Sequence, residues 1–185
     1  IVETVLIDFN NDIVSSLKKI GSQAVSMHTQ KNNVIEVVPE QNELGFVGIP
    51  KNINADTINE KLKKGEIPII SPLGLGNNNQ TYNINGDHAA GAVAKSLKSR
   101  RLLLMTNVEG VLNREKKLIS EVNSSKIIEM INDKTITEGM IPKINTCLDA
   151  VKNDVTAVGI IDGRKPRSIL FELFSDKGSG TLIRK

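Results

Sequence analysis

The sequence of 185 residues predicts an α/β fold with a largely parallel sheet. Segments with the apolar spacing of amphipathic helices alternate with short apolar runs that are typical of strands. Two of these runs, residues 67–71 and 102–106, are almost continuously apolar, which indicates strands buried on both faces. Aromatic residues make up only 3% of the chain, so we expect a core of Ile, Leu, Val and Ala.

The first half of the chain opens with a predicted helix. Apolar residues recur at helical spacing over residues 1–20, with a kink expected at Asn10-Asn11, and Gly21 is expected to end the helix. Because this pattern is already under way at Ile1, we expect that the chain begins inside a longer protein. The other elements of this half are strands at 24–27, 34–38, 45–48 and 67–71, and a helix at 55–64 that Asn54 can cap.

The second half repeats this alternation. A helix rich in small residues precedes the strand at 102–106, and a short hairpin precedes a helix near Ser124. The predicted helices are at 87–97, 124–132, 139–151 and 166–174, and the remaining strands are at 155–161 and 181–183. We expect a boundary between two lobes near Lys98, which divides the chain into residues 1–98 and 99–185.

Charge and composition argue against several classes of function. The 24 basic and 21 acidic residues are interspersed, and the scarcity of aromatic residues argues against a stacking surface for single-stranded nucleic acid. No apolar run approaches the length of a membrane span. Cys147 is the only cysteine, so no intrachain disulfide can form and a reducing, cytoplasmic location is expected. His28 and His88 lack metal-ligand spacing, so no metal site is predicted.

A first candidate binding segment joins a predicted strand to a helix. Asn83 and Asn85 alternate along the strand, so both amides would project from one side toward its end, where open α/β sheets bind ligands. Gly86 permits a tight turn, and Asp87 begins the following helix. The pattern leaves two interpretations open. Either the amides contact a ligand, or Asp87 caps its helix and the Asn side chains satisfy the turn backbone.

Two further segments are candidates for contacts with phosphate. Gly139 and Pro142 suit the start of a helix, where Lys143 adds a full charge to the partial positive charge of the helix N-terminus. The strand at 102–106 runs into the polar turn Asn107–Gly110, a usual position for ligands in α/β folds. Both patterns also occur without any ligand, because lysines are usually solvated and every strand is followed by a turn or loop.

These segments, in this order, resemble the N-acetylglutamate kinase family of the amino acid kinase superfamily. The resemblance extends across essentially the whole chain. Its pieces are Gly45–Gly48, Ile67–Gly74, Thr81–Asp87, Thr106–Gly110, Gly139–Lys143, Ile160–Arg164 and Gly178–Thr181. The resemblance implies a three-layer α/β/α sandwich with a mainly parallel central sheet, which is the amino acid kinase fold, incomplete at the N-terminus.

The resemblance also implies an activity. The family uses ATP to phosphorylate the side-chain carboxylate of N-acetyl-L-glutamate, giving N-acetylglutamyl 5-phosphate, in arginine biosynthesis. The N-terminal lobe would bind the acyl amino acid and the C-terminal lobe would bind ATP. A carboxylate is already ionised at neutral pH, so positioning and cations should supply most of the catalysis. Mg²⁺ would be held mainly by the nucleotide phosphates. A homo-oligomer without nucleic acid or membrane partners is expected.

The family's motifs assign roles to individual residues. Asn83 and Asn85 would contact the acetylglutamate, and Asp87 would orient the catalytic lysines. Lys143 would stabilise the transferring phosphoryl group. The implied nucleotide contacts are Thr106, Asn107, Gly110, Gly139, Met140 and Lys143. Asn107 stands where the family usually has Asp.

Two more expectations follow from the resemblance. The family's other catalytic lysine, its glycine-rich phosphate loops and a substrate-gripping arginine would precede Ile1, so this chain alone is expected to be inactive. Near the C-terminus the sequence resembles the arginine-inhibited branch of the family. There Glu172 and Gly178 would line an effector site for L-arginine, while Gly159 stands where that branch often has His.

Two alternative functions stay open on the sequence. One is a related kinase that acts on an aminoadipate derivative, carbamate or glutamate. The other is a non-catalytic subunit that senses arginine or nucleotide, an alternative motivated by Asn107 and by the segment expected before Ile1. The kinase interpretation predicts that the two lobes close so that Lys143 and Asp87 meet around the transferring phosphate.

Overall fold

The computed structural model describes residues 1–40, 44–77, 79–136, 139–176 and 178–185. Helices and strands are interspersed along these residues, which confirms the predicted α/β class. The chain divides into two compact units, Ile1–Ser96 and Leu97–Lys185. Each unit has its own helices, paired strands and buried apolar side chains.

In the first unit, the helices lie beside a parallel strand pair and a mixed sheet. The helices are α1 (Val2–Lys19), α2 (Ala55–Lys63) and α3 (Gly86–Ser96). The strands are β1 (Ala24–Met27), β2 (Ile35–Pro39), β3 (Gly48–Ile53), β4 (Ile67–Ile70), β5 (Leu73–Leu75) and β6 (Thr81–Asn83). Strands β1 and β4 pair in parallel. In the order β3-β2-β5-β6, β2 pairs in parallel with β5, and the other two pairs are antiparallel.

Helix α1 shows how the first unit uses its apolar spacing. Ile7 and Val14 are buried on one face. The helix continues without interruption through Asn10 and Asn11, where a kink was expected. Asn10 is buried, donates from Nδ2 to the carbonyl of Ile69 at 2.7 Å and accepts a hydrogen bond from Ser26. These two bonds join α1 to β4 and β1, and they satisfy a polar side chain that would otherwise be costly to bury.

Two strands of the first unit differ from the sequence prediction. The strand predicted at Gly45–Gly48 is wrong: Gly45 has φ +65°, a left-handed conformation that interrupts an extended run, and β3 starts only where the predicted strand ends. Strand β5 is absent from the prediction because Leu73–Leu75 is too short to show a periodic pattern. A Cβ on Gly74 would lie 2.5 Å from Cγ1 of Val37, so glycine permits the close approach of β5 to β2.

In the second unit, the strands form a single sheet order, β7-β9-β10-β8. The helices are α4 (Ser124–Asn132), α5 (Ile141–Lys152) and α6 (Ser168–Phe174). The strands are β7 (Arg101–Thr106), β8 (Glu121–Asn123), β9 (Ala157–Asp162) and β10 (Gly180–Arg184). Strand β7 runs parallel to β9, β10 parallel to β8, and β9 antiparallel to β10. The predicted hairpin before α4 is confirmed by an antiparallel bridge between Leu112 and Leu118. Every residue of β9 is buried, as its apolar run predicts.

Candidate functional site

The carboxyl ends of β7 and β9 form the edge at which several predicted site residues lie. The two strands run in parallel with Thr106 paired to Asp162, so their ends lie side by side. The N–H of Gly163 donates to the carbonyl of Thr106 at 2.8 Å and extends the pairing by one residue. Such an edge is where open α/β sheets bind ligands. Thr106 and Asn107, which directly follows β7, are therefore placed where a ligand can reach them.

Helix α5 brings a second predicted segment toward the same edge. It packs on β9 and β10, and only residues 153–156 join its end to the start of β9. The helix therefore runs antiparallel to β9, with its N-terminus toward the carboxyl end of that strand. Lys143 is half-buried on the first turn, so its charge adds to the positive end of the helix dipole.

The start of α5 differs slightly from the prediction. The helix begins at Ile141 rather than Gly139, with Met140 as its N-cap residue and Pro142 in its first turn. Among the described residues, which exclude Thr137 and Glu138, no side chain caps this helix. Within the described residues, a Cβ on Gly139 would meet no atom within 4 Å.

Asp162 supplies a buried carboxylate at the β7–β9 edge. Its Oδ1 accepts hydrogen bonds from the backbone N–H and the Nε of Arg164, at 3.0 and 2.9 Å, and its Oδ2 accepts one from Nη2 at 2.9 Å. The hydrogen bonds from Arg164 lower the pKa of Asp162 to about 2, so the carboxylate is ionised at neutral pH. Asp162 lies in the segment Ile160–Arg164, which carries part of the family resemblance, but the resemblance implies no role for this residue.

Gly110 has a clear packing reason to be glycine. Its φ is +144°, and a Cβ there would lie 2.5 Å from Oγ1 of Thr181. That hydroxyl accepts from the N–H of Val111 at 2.8 Å and donates to the carbonyl of Ile119 at 2.6 Å. The turn after β7 is thus held against the first residues of β10, and the geometry of Gly110 is explained without a ligand.

The segment after β6 corrects part of the sequence interpretation. Asn83 is the last residue of β6, but Asn85 lies beyond the strand, so the two side chains do not alternate along one strand face. Asn85 instead caps α3: its Oδ1 accepts from the N–H groups of Asp87 and His88, at 2.9 and 3.3 Å. The helix starts at Gly86, so Asp87 lies in its first turn and is not the cap. The first N–H groups of a helix have no partner within the helix, so the nearest side-chain oxygen, here that of Asn85, accepts hydrogen bonds from them.

Asn83 lines an open cleft of about 490 Å³ in the first unit. Phe46, Thr81 and Glu3 also line this cleft. Glu3 Oε1 accepts hydrogen bonds from the hydroxyls of Thr29 and Thr81, at 2.8 and 3.0 Å. The bond from Thr29 is the largest of the effects that together lower the pKa of Glu3. The cleft therefore offers an amide, a carboxylate and an apolar wall.

The two residues of the expected effector site also line one cleft, of about 480 Å³, in the second unit. Glu172 is buried, and its Oε2 accepts the N–H of Ser179 at 2.9 Å. Gly178 has φ +65°, and a Cβ there would lie 2.8 Å from the same oxygen. A Cβ on Gly159 would lie 3.5 Å from Glu172 Oε1 and 2.8 Å from Cδ2 of Leu103, so a larger residue at position 159 requires Leu103 to move.

The predicted site residues are thus divided between the two units. Asn83, Asn85 and Asp87 belong to the first unit, and Lys143 belongs to the second with the expected nucleotide contacts. The meeting of Asp87 with Lys143 stays a prediction. Within the described ranges, no group of three or more His, Cys, Asp or Glu residues is arranged to hold a metal ion. In that same part of the chain, no helix combines the length and apolarity needed to span a membrane.

Comparison with known proteins identifies relatives across the whole chain. The chain is 54% identical over 185 residues to an acetylglutamate kinase of Pelagibacter ubique, covering all of this chain and 64% of the relative. It is 47% identical over 180 residues to an acetylglutamate kinase of Clostridioides difficile, covering 95% of this chain and 63% of the relative. The chain therefore spans slightly less than two thirds of the length of these curated relatives.

A solved structure shares the fold at lower identity. N-acetylglutamate synthase from Neisseria gonorrhoeae, in complex with coenzyme A and N-acetyl-glutamate, superimposes with a TM-score of 0.86 at 22% identity, covering 98% of this chain and 43% of that one. Residues 3–162 match the family described as "Amino acid kinase family". That match extends from α1 to the end of β9 and includes Asp87 and Lys143. The chain belongs to the amino acid kinase family.

Proposed function

We propose that the protein containing this chain uses ATP to phosphorylate the side-chain carboxylate of N-acetyl-L-glutamate. The observation that carries the proposal is the 54% identity, over the full length of this chain, to a protein named acetylglutamate kinase. The geometry of the second unit supports it, because the β7–β9 edge and the N-terminus of α5 offer a place for an anionic nucleotide.

In this proposal the second unit binds the nucleotide. Thr106 contacts it from the end of β7, Asn107 and Gly110 contact it from the turn that follows, and Gly139 and Met140 contact it from the segment before α5. Lys143 stabilises the transferring phosphoryl group. Phosphoryl transfer depends on cations that offset the charge spread over the phosphoryl oxygens, and an ammonium group on the first turn of a helix suits that task. An ATP-bound Mg²⁺ adds to this charge compensation.

The first unit binds the acyl amino acid. Asn83 contacts it from the end of β6, and Asn85 contacts it through the Nδ2 group, since its Oδ1 caps α3. Asp87 orients the catalytic lysines from the first turn of that helix. Because the acceptor carboxylate is already ionised at neutral pH, none of these residues has to remove a proton from it.

Acyl-phosphate trapping tests the proposal. The full-length protein is incubated with ATP, Mg²⁺ and hydroxylamine, which converts an acyl phosphate to a hydroxamate. The acceptors are N-acetylglutamate, an N-acylated aminoadipate, glutamate and carbamate. We expect the highest kcat/KM with N-acetylglutamate. A higher value with another acceptor would assign the protein to a different kinase activity, and ATP binding without product from any acceptor would support a non-catalytic subunit.

We also propose that L-arginine binds the cleft lined by Glu172 and Gly178. Arg101, Glu121, Asp176 and Arg184 line the same cleft, so carboxylates and guanidinium groups already share it. A guanidinium ligand would pair with the carboxylates. Titration of the full-length enzyme with L-arginine should lower its rate, and a rate that stays constant at saturating arginine would contradict this assignment.

A cytoplasmic homo-oligomer is the proposed state of the protein. Val5 and Phe9 on α1 are 59% and 62% exposed, and apolar side chains this exposed are commonly covered in an assembly. Light scattering coupled to size exclusion measures the mass of the full-length protein directly. A single species with the mass of one chain at micromolar concentration would contradict the oligomer.

A further inference from the structure

Two loops meet at the β7–β9 edge and are joined by more than strand pairing. One loop, Asn107–Gly110, follows β7 and carries two of the proposed nucleotide contacts, Asn107 and Gly110. The other, Gly163–Arg167, follows β9. The N–H of Gly163 donates to the carbonyl of Thr106, so the second loop starts against the base of the first. A change in the position of one loop would therefore shift the other.

An ion pair joins the two loops further out. Lys165 Nζ lies 2.7 Å from Glu109 Oε1, and the two residues are 56 positions apart in the chain. Both side chains are about half exposed, at 48% and 52%. Glu109 lies two residues after Asn107 and directly before Gly110, so the pair holds the loop of the proposed nucleotide site at its middle.

The buried carboxylate of Asp162 fixes the start of the second loop. Arg164 donates three hydrogen bonds to it, one from the backbone and two from the guanidinium group. Lys165 N–H also donates to the carbonyl of Asp162 at 3.3 Å. The backbone of Lys165 is thus held in place. Its side chain therefore loses less conformational entropy when it pairs with Glu109.

We propose that the Lys165–Glu109 ion pair, anchored through Asp162, positions the Asn107–Gly110 loop for nucleotide binding. Neither Lys165 nor Glu109 touches the nucleotide in this proposal, so both are positioning residues. The inference rests on the proposed nucleotide site after β7, and it is independent of which carboxylate the enzyme phosphorylates.

The charge of Glu109 makes the proposal sharply testable. Near an anionic nucleotide, an acidic residue that acts only through its charge weakens binding, so Glu109→Gln would strengthen it. If Glu109 instead positions the loop, Glu109→Gln weakens nucleotide binding. The sign of the change separates the two roles.

Calorimetric titration of the full-length protein with Mg²⁺–ADP provides the measurement. An exposed ion pair contributes up to about 1 kcal/mol, so we expect Glu109→Gln and Lys165→Met each to raise the Kd for ADP by about two- to fivefold. The double variant should be little worse than either single one, because the second substitution removes a partner already lost. The thermal midpoint should change little in all three variants, since both side chains are exposed.

A matched control is the Lys126–Glu129 pair on α4, which is also exposed and 2.8 Å long. Glu129→Gln should leave the Kd for ADP unchanged. Wild-type affinity or tighter binding in Glu109→Gln, or effects of the single variants that simply add in the double variant, would overturn the positioning role. Failure of the wild-type protein to bind ADP would instead overturn the proposed nucleotide site itself.

Discussion

Thr106 and Asp162 are register partners at the carboxyl ends of the parallel strands β7 and β9, although they lie 56 residues apart in the sequence. This pairing places the turn after β7 beside a buried carboxylate that Arg164 holds through three hydrogen bonds. Because α5 runs antiparallel to β9, the first turn of that helix lies toward the same edge. The proposed nucleotide contacts after β7, the buried carboxylate and the start of α5 therefore lie toward one edge of the sheet.

Lys143→Ala should abolish most of the turnover of the full-length enzyme. If its ammonium group stabilises the transferring phosphoryl group, we expect kcat to fall by about a hundredfold or more, with a much smaller change in KM for acetylglutamate. Steady-state kinetics with N-acetylglutamate and ATP measure both. Lys152→Ala is the matched control, because Lys152 is an exposed lysine in the last turn of the same helix. Equal rates in wild type and Lys143→Ala would remove Lys143 from the mechanism.

Asn85→Ala should reduce stability by about 1 kcal/mol, because α3 loses the oxygen that caps it. Asn85→Asp keeps a capping oxygen and should recover that stability, but it replaces the Nδ2 donor with a carboxylate. We therefore expect Asn85→Asp to be folded normally and to have a raised KM for acetylglutamate. Urea denaturation and steady-state kinetics separate the two effects, and an unchanged KM in Asn85→Asp would show that the residue is only a cap.

Gly110→Ala should destabilise the protein by about 1–3 kcal/mol, because φ is +144° at this position and the new Cβ would meet Thr181. The measurement is the free energy of unfolding of the full-length protein. Gly86→Ala is a suitable control, since a Cβ there would meet no atom of the described part of the chain within 4 Å. A loss of stability that is equal in the two variants would contradict the packing explanation for Gly110.

The carboxyl group of Asp162 should titrate far below its usual range. Its pKa is about 2 in the folded protein against 3.8 for a free aspartate, so the stability it contributes is complete above about pH 4 and is lost as the pH falls toward 2. The difference in unfolding free energy between wild type and Asp162→Asn should be constant from pH 7 to about 5 and shrink below pH 4. A difference that already declines between pH 7 and 5 would contradict the Arg164 pairing.

The sequence predicted most helices and strands because their apolar spacing is strong. Helix α1, for example, matches the predicted helix at residues 1–20, and β7 and β9 appear as apolar runs in the places expected. The errors occur where the signal is short or is decided by backbone geometry. Strand β5 has three residues, and the predicted strand at Gly45–Gly48 is interrupted by the left-handed φ of Gly45.

The candidate site was predicted only as a set of separate segments. The pattern around Asn85 allowed both a ligand contact and a cap, and the structure shows that its oxygen caps α3. The sequence also singled out Thr106–Gly110 and Ile160–Arg164 without relating them to each other. Their connection through Lys165 and Glu109 could not be predicted, because it depends on which strands become neighbours.

The sequence by itself determined the α/β class, the order of most elements and the membership of the amino acid kinase family. These properties follow from local apolar periodicity and from short motifs, both of which are written along the chain. Only the tertiary structure decided that the ends of β7 and β9 are adjacent, that Asp162 is buried against Arg164 and that Lys165 reaches Glu109. Pairing between distant strands brings these groups together, and no single segment of sequence contains that information.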